Sequence, residues 1–375
     1  MTTLAEVIDV LERAYPPRLA ESWDSIGLVC GDPAESVDSV LCCVDVTEEV
    51  VDRAIAAGVT LIVAHHPLLL RGVDTVGVHT SKGRLVHRLI RGGCALYTAH
   101  TNADSANPGV SDALADLLGL TALRPLDPKP AVAMDKWAVF VPTADAHTVR
   151  EAMFEAGAGR IGDYSHCCWS TAGTGQFLPG TSADPAVGSI GEVTRVVEDR
   201  IEMVAHRAVR NDVLAALRAA HPYEEPAFDL VEMAAANSDE GLGRVGELTE
   251  AMTLTEFTHL VSRSLPAAPV GVRAAGDPQQ MVRTVAVCGG AGDSLLDTAR
   301  GSGVDVYVTG DLRHHPVDEH LRAGPPALID AGHWATEFPW CAQVSRLLEA
   351  TLPGLSTDVF GEPTDPWTIH AQRGS

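Results

Sequence analysis

Five side chains of this 375-residue chain have the types and the spacing to hold metal ions: His65, His66, Asp104, His333 and Glu337. His65 and His66 close an apolar run in "VAHHPLLLRG" (63–72). Two imidazoles side by side are poor core material. On a continuing strand, neighbouring side chains point to opposite faces, so one of the pair would be misplaced. His100 with Asp104, and His333 with Glu337, repeat a His-x-x-x-carboxylate spacing. Neutral imidazole and carboxylate are the ligand set for Zn, Fe, Mn or Co, and the set does not choose among them. If one carboxylate bridges, five side chains make six contacts, three to each of two divalent metals. Positions then stay open for water, as a catalytic site requires. Adjacent histidines at a strand end can diverge, each toward a different metal about 3.5–4 Å from the other. On spacing alone, a loop that happens to contain histidines stands beside this dinuclear reading.

The elements that would position these residues come from a duplicated pattern. "VLCCVDVTEEVVDRAIAAGVTLIVAHHP" from Val40 and "VAVCGGAGDSLLDTARGSGVDVYVTGDLRHHP" from Val285 share an order. Each has an apolar run, a turn, a helix-period segment, a Gly-Val pair and a second apolar run. From Val40 to Gly58, and from Val285 to Gly303, is 18 positions. Such strand–helix–strand units build parallel α/β sheets, which bind ligands at the carboxyl ends of their strands. "RGGCALYTAHTNAD" and "RAGPPALIDAGHWATE" continue the match with one or two inserted residues. The fold class is therefore α/β: two duplicated halves, 1–127 and 237–375, form the main domain. Between them, 128–236 reads as strand–helix pieces of a ferredoxin-like α+β insertion, with a helix starting at Asn211 or Asp212 and "DYSHCCW" as a strand. "AANSDEGLG" (235–243) reads as the linker back.

Two glycine-rich stretches bear on ligand binding. Gly157-Ala-Gly159-Arg-Ile-Gly162 is a literal GxGxxG, but it follows a helical segment instead of a strand, so it reads as turn geometry. "VAVCGGAGDSLL" is better placed: Gly289, Gly290 and Gly292 lie between a strand and a helix, as an anion or phosphate loop would. A tight turn that binds nothing is the equal alternative.

A formal charge of −23 argues against nucleic acid or an anionic membrane as the main partner. No apolar stretch approaches the roughly 18 to 20 residues that span a bilayer, and the acidic N-terminus lacks the features of a signal peptide. The eight cysteines form no CxxC, so zinc-ribbon and thioredoxin readings fail. Buried, reduced thiols in a cytoplasmic protein are expected.

Several motifs together carry a family resemblance. "SWDSIGLVCGDP" (22–33), "AHHPLLLRG", "TAHTNADSANPGVSDALADLLGL" (98–120), "GLGRVGEL" (241–248) and "VYVTGDLRHHPVDEH…LIDAGHWATE" (306–337) resemble the GTP cyclohydrolase 1 type 2 homologues. These are also known as the Ngg-interacting-factor-three-like proteins. "AHPYEEPAFDLV" and the preceding glycine-rich segment resemble the insertion of the longer bacterial members, itself similar to trimer-forming PII-like domains. Ser25 departs from the asparagine usual in this family. The resemblance implies a dinuclear centre on His65, His66, Asp104, His333 and Glu337, with Glu337 as the bridge, and assembly as a toroidal homohexamer. It also implies hydrolytic opening of GTP, or of another phosphate-bearing heterocycle, at the imidazole ring with release of formate. One metal would lower the pKa of water and the other would orient the substrate. His315 and His100 are candidates for proton transfer or for orienting ligands. A non-enzymatic protein that stores, delivers or senses metal is the competing class.

Overall fold

The structure, a computed structural model, describes residues 2–234 and 237–371. Two compact units are present: Met1–Lys129 with Asp239–Ser375, and Pro130–Ser238.

In the first unit, Ser39–Cys43, Leu61–Ala64 and Ala95–Thr98 are neighbouring parallel strands. Their residues are almost all buried, which is why they read as continuous apolar runs without alternation. Gly27–Cys30 adds an antiparallel edge beside Ala95–Thr98, and Ser356–Val359 a parallel one beside Ser39–Cys43. A second sheet runs in the order Arg273–Ala275, Ala327–Asp330, Val306–Gly310, Met281–Ala291, Asn237–Thr253, Thr121–Pro130. Its first four strands repeat the arrangement of the first sheet, antiparallel edge included.

The repeat extends to single contacts. The helices Leu4–Ala14 and Leu254–Ser264 both open on a capping box, Thr3 with Glu6 and Thr253 with Glu256, satisfying otherwise orphaned amides. A Cβ added to Gly31 would meet Ala95 Cβ at 2.7 Å and Leu4 Cδ2 at 3.1 Å. One added to Gly276 would meet Ala327 Cβ at 2.7 Å and Leu254 Cδ2 at 3.1 Å. Each half thus needs a bare residue where the edge strand leaves, because helix and strand close on the same spot.

The second unit is built β-α-β-β-α-β. Its antiparallel sheet is ordered Trp169–Phe177, Thr194–His206, Met134–Pro142, Phe228–Glu232. This is the ferredoxin-like arrangement. Ala146–Glu155 and Arg210–Ala220 pack on one face, where Trp137, Val139, Ile201 and Met203 meet Val149, Met153, Val213 and Leu217.

Some expectations are corrected. The second helix begins at Arg210, after a 3-10 turn over Arg207–Val209, with no side-chain cap; Asn211 and Asp212 lie inside it. "DYSHCCW" is turn and bend up to the strand that opens at Trp169. The GxGxxG residues Gly157, Gly159 and Gly162 all have positive φ, as turn residues do. Of the supposed linker, 235–236 lie outside the described residues, and the rest belongs to the strand from Asn237. That strand passes hard against its neighbour: a Cβ on Gly241 would stand 2.2 Å from the Asp127 carbonyl oxygen.

Candidate metal centre

His65 and His66 leave the end of Leu61–Ala64 still bonded to the adjacent strand end. Their amides donate to the Cys43 and Val44 carbonyls at 3.0 and 2.8 Å. Asp104 sits on the short helix Thr101–Ser105, which follows Ala95–Thr98. His333 and Glu337 open and close the helix His333–Glu337, and at i and i+4 they share a face. All five positions thus follow carboxyl ends of parallel strands, and the structure brings them together. Glu337 lies at the middle: Oε1 is 3.2 Å from His333 Nε2 and 3.5 Å from His65 Nε2, and Oε2 is 3.1 Å from His66 Nε2. Asp104 Oδ1 is 3.6 Å from His65 Nε2.

The far side of each imidazole fixes what the near side can do. His66 Nδ1 is 2.7 Å from Asp45, His333 Nδ1 2.7 Å from Asp311, His100 Nδ1 2.8 Å from Asp24 and His65 Nδ1 2.9 Å from the Ala99 carbonyl. Each partner is an acceptor, so each Nδ1 carries the hydrogen and each Nε2 points inward, free to ligate. His66 Nε2 and His333 Nε2 face each other at 3.3 Å, a contact that a shared proton or an intervening cation satisfies. Among the described residues, His65 Nε2 and Glu337 Oε2 are buried without a hydrogen-bond partner; the approach of Glu337 Oε2 to His66 does not have hydrogen-bond geometry. Buried nitrogen and oxygen left orphaned within one cluster of imidazoles and carboxylates fit a metal. Ligand atoms of His66, His333 and Glu337 all lie within 4.8 Å of one another, and so do those of His65, His66 and His100. Either group could hold a divalent ion; Asp104 belongs to neither and meets the cluster through His65.

The electrostatics agree. Burial opposes the charge of Glu337, but His66, His65 and His333 outweigh it and hold the carboxylate well below its usual range. Burial likewise disfavours the imidazolium of His66, yet Glu337 and Asp45 raise it to about 11. His333 is raised to about 9 against burial by Glu337 and Asp311. Burial pushes the Asp104 carboxyl up to about 6 and, with the charge of His65, pushes His100 down to about 4. Without metal, protons occupy the positions where a cation is favoured.

His100 therefore stands among the ligand atoms and hydrogen-bonds only outward. His315 is exposed in the first turn of His314–Ala323, its ring 5.2 Å from that of His314, and belongs to neither ligand group. Two of the three glycines spend their amides inside the fold. Gly290 donates its amide to Thr336 Oγ1 at 2.9 Å, and Gly289 directs its own to Ser111. A Cβ on Gly290 would stand 2.2 Å from Glu337 Oε1, so the bare backbone gives the carboxylate its place. Strand pairing also explains the inserted residue in the sequence match. Thr98 pairs with Ala64 as Asp330 pairs with Thr309, which sets His100 opposite Gly332 and Asp104 opposite Thr336. The halves give unlike ligand sets because their ligands are one position out of step. The sequence reading missed Asp45, Asp311 and Asp24. For Asp45 and Asp311, a carboxylate just past a strand end was the available signal; Asp24 precedes the first strand and offered none.

Beside His66 and His333 lies a cavity of about 630 Å³ whose lining includes Arg273, Arg313, Trp334 and Trp367. Thr364 reaches into the centre's surroundings, its hydroxyl donating to Asp45 Oδ2 at 2.5 Å.

A model of the family described as Duf34/NIF3 (NGG1p interacting factor 3) matches residues 2–366. The chain belongs to this family. A Mycobacterium tuberculosis protein named "GTP cyclohydrolase 1 type 2 homolog" is 58% identical over 373 residues, covering 99% of this chain and 98% of that protein. A Bacillus subtilis protein of the same name is 40% identical over 333 residues, covering 89% and 88%. Among solved structures, a Bacillus cereus protein related to NIF3 has a TM-score of 0.75 at 37% identity, covering 98% of this chain and 99% of that one. Staphylococcus aureus protein SA1388 has a TM-score of 0.82 at 27% identity with the same coverage. The mixed α/β fold is that of the NIF3 structures.

Proposed function

We propose that this NIF3-family protein is a metal-dependent hydrolase holding two divalent ions on His65, His66, Asp104, His333 and Glu337. The observation that carries the reading is the set of inward-facing Nε2 atoms, each with its Nδ1 tied to an acceptor, around the orphaned oxygen of Glu337. Bound divalent ions would supply an activated water and an electrophile at neutral pH. The chain's own part is to fix the rings by Asp45, Asp311 and Ala99, to keep the centre dry through burial of His65 and Glu337, and to receive substrate in the adjoining cavity. Arg273 and Arg313 there, paired with Asp330 and Asp293, would turn their remaining N–H groups to a phosphate, and Trp367 offers a face to a flat ring. A nucleotide or related heterocycle is accordingly the substrate class, with GTP ring opening and formate release as the first reaction to test. A homohexamer belongs to the same reading and rests on family membership.

Metal-loaded protein is expected to release formate from GTP, or to turn over another member of a nucleotide panel. His66→Ala should lower that rate by several orders of magnitude. Absence of turnover on every member, with ready metal transfer to an apo acceptor enzyme, would replace the hydrolase by a metal-handling protein. Sedimentation at six times the chain mass checks the assembly.

A further inference from the structure

The second unit carries a cavity of about 500 Å³ that the metal chemistry does not use. On Thr194–His206, the residues Ile201, Met203 and Ala205 face the helices. Glu198 lies an odd number of steps away and points to the opposite face of the sheet. It is nevertheless only 8% exposed. One carboxylate oxygen accepts from the Tyr223 hydroxyl at 2.9 Å. Among the described residues the other oxygen takes no hydrogen bond and opens to the cavity, and no lysine, arginine or histidine forms an ion pair with Glu198. Gly175 makes room for it: a Cβ there would stand 2.1 Å from Glu198 Oε2.

The surroundings are built and not incidental. His221 Nε2 donates to the Phe140 carbonyl at 3.0 Å while its Nδ1 accepts from the Tyr223 amide at 3.1 Å, which sets the turn that aims Tyr223 at Glu198. Glu224 accepts from the Asp184 amide at 3.2 Å and ties the adjacent loop over the cavity. Phe177 and Tyr223 give aromatic walls, the Phe140 ring already carries the Arg200 guanidinium at 5.6 Å, and none of the lining residues is basic.

A mostly buried carboxylate with one oxygen bonded and the other open to the cavity can take a further donor, and aromatic faces attract cations. We propose that this cavity binds a small organic cation, a primary amine or amidinium on an apolar body, through Glu198 and the rings around it. A bare divalent ion is served worse, because one buried carboxylate and a phenol fall short of the oxygen count such ions need.

The test uses the full chain, with tyramine, agmatine and spermidine as probes and tyrosol as the neutral counterpart of tyramine. Ligand-observed NMR and calorimetry are expected to show binding of at least one amine and none of tyrosol. Glu198→Gln should weaken the amine by about ten- to a hundred-fold while metal content and thermal unfolding stay as in the parent. Tyr223→Phe should weaken it less. Silence of all three amines, equal binding of tyramine and tyrosol, or unchanged affinity in Glu198→Gln overturns the assignment. So does a Mn²⁺ signal that vanishes in Glu198→Gln while the amines give none.

Discussion

Asp45 and Asp311 hold Nδ1 of His66 and His333 at 2.7 Å each, so they decide which nitrogen of each ring is available to a metal. Partners of this kind are typically worth about 10- to 100-fold in metal affinity. Asp45→Asn and Asp311→Asn should each cost that much in a chelator competition, whereas Glu337→Ala should lose metal altogether. An unchanged affinity in both asparagine variants would mean that packing alone orients the rings. Protons compete at the same nitrogens. With His66 raised to about 11 and His333 to about 9 in the metal-free chain, and their Nε2 atoms 3.3 Å apart, the pair holds at pH 7 a proton that a metal must displace. Metal uptake there releases protons, and affinity falls as pH falls. Calorimetry in buffers of different ionisation enthalpy measures the release, and proton-neutral uptake would refute this account.

At the scale of elements, the strand Asn237–Thr253 contributes Arg244, which is fully buried and spends its guanidinium on five acceptors. Nε donates to Asp112 Oδ1 at 2.8 Å and Nη1 to the Gly241 and Gly243 carbonyls at 2.7 and 2.8 Å. Nη2 meets Asp112 Oδ2 at 2.7 Å and the Ala106 carbonyl. Removing one partner of such a pair strands the other charge, at about 3–5 kcal/mol. Asp112→Ala should destabilise the first unit by that order in chemical denaturation; a loss under about 1 kcal/mol would show that water replaces the carboxylate. Arg244 stands in "GLGRVGEL", a stretch noticed in the sequence only as a family motif. The strand–helix–strand order on either side of Gly58 and Gly303 was legible, because apolar runs and helix periods are local. So were the five strand-end residues that the structure gathers. The strand that opens at Asn237 was not, since "NSDEGLG" has turn composition and its close pass along Asp127 is a contact distant in sequence. The acceptors behind the histidines stand visibly past strand ends, but their pairing was hidden by distance along the chain: Asp45 precedes His66 by 21 residues and Asp311 precedes His333 by 22.

At the scale of the whole molecule, the chain leaves the first unit after Lys129 and returns at Asp239. Thr121–Pro130 and Asn237–Thr253 are neighbours in the second sheet. Gly241 abuts Asp127, and Gly246 abuts Thr121, so the two strands run in opposite directions and their outer ends lie side by side. The second unit has its own apolar core, and every residue proposed to hold metal, with its Nδ1 acceptor, belongs to the first. A short turn can therefore join Lys129 to Asp239 at little loop-closure cost. The chain lacking 130–238, closed by a two- to five-residue hairpin turn of the usual kind, should fold, bind the metal content of the parent and keep its metal affinity. It should lose binding of the amine probes entirely. Elemental analysis and calorimetry on the deleted chain check both halves of this expectation. A soluble, folded deletion product that binds no metal would show that the second unit is required to complete the centre, and would remove the separation of tasks drawn between the two.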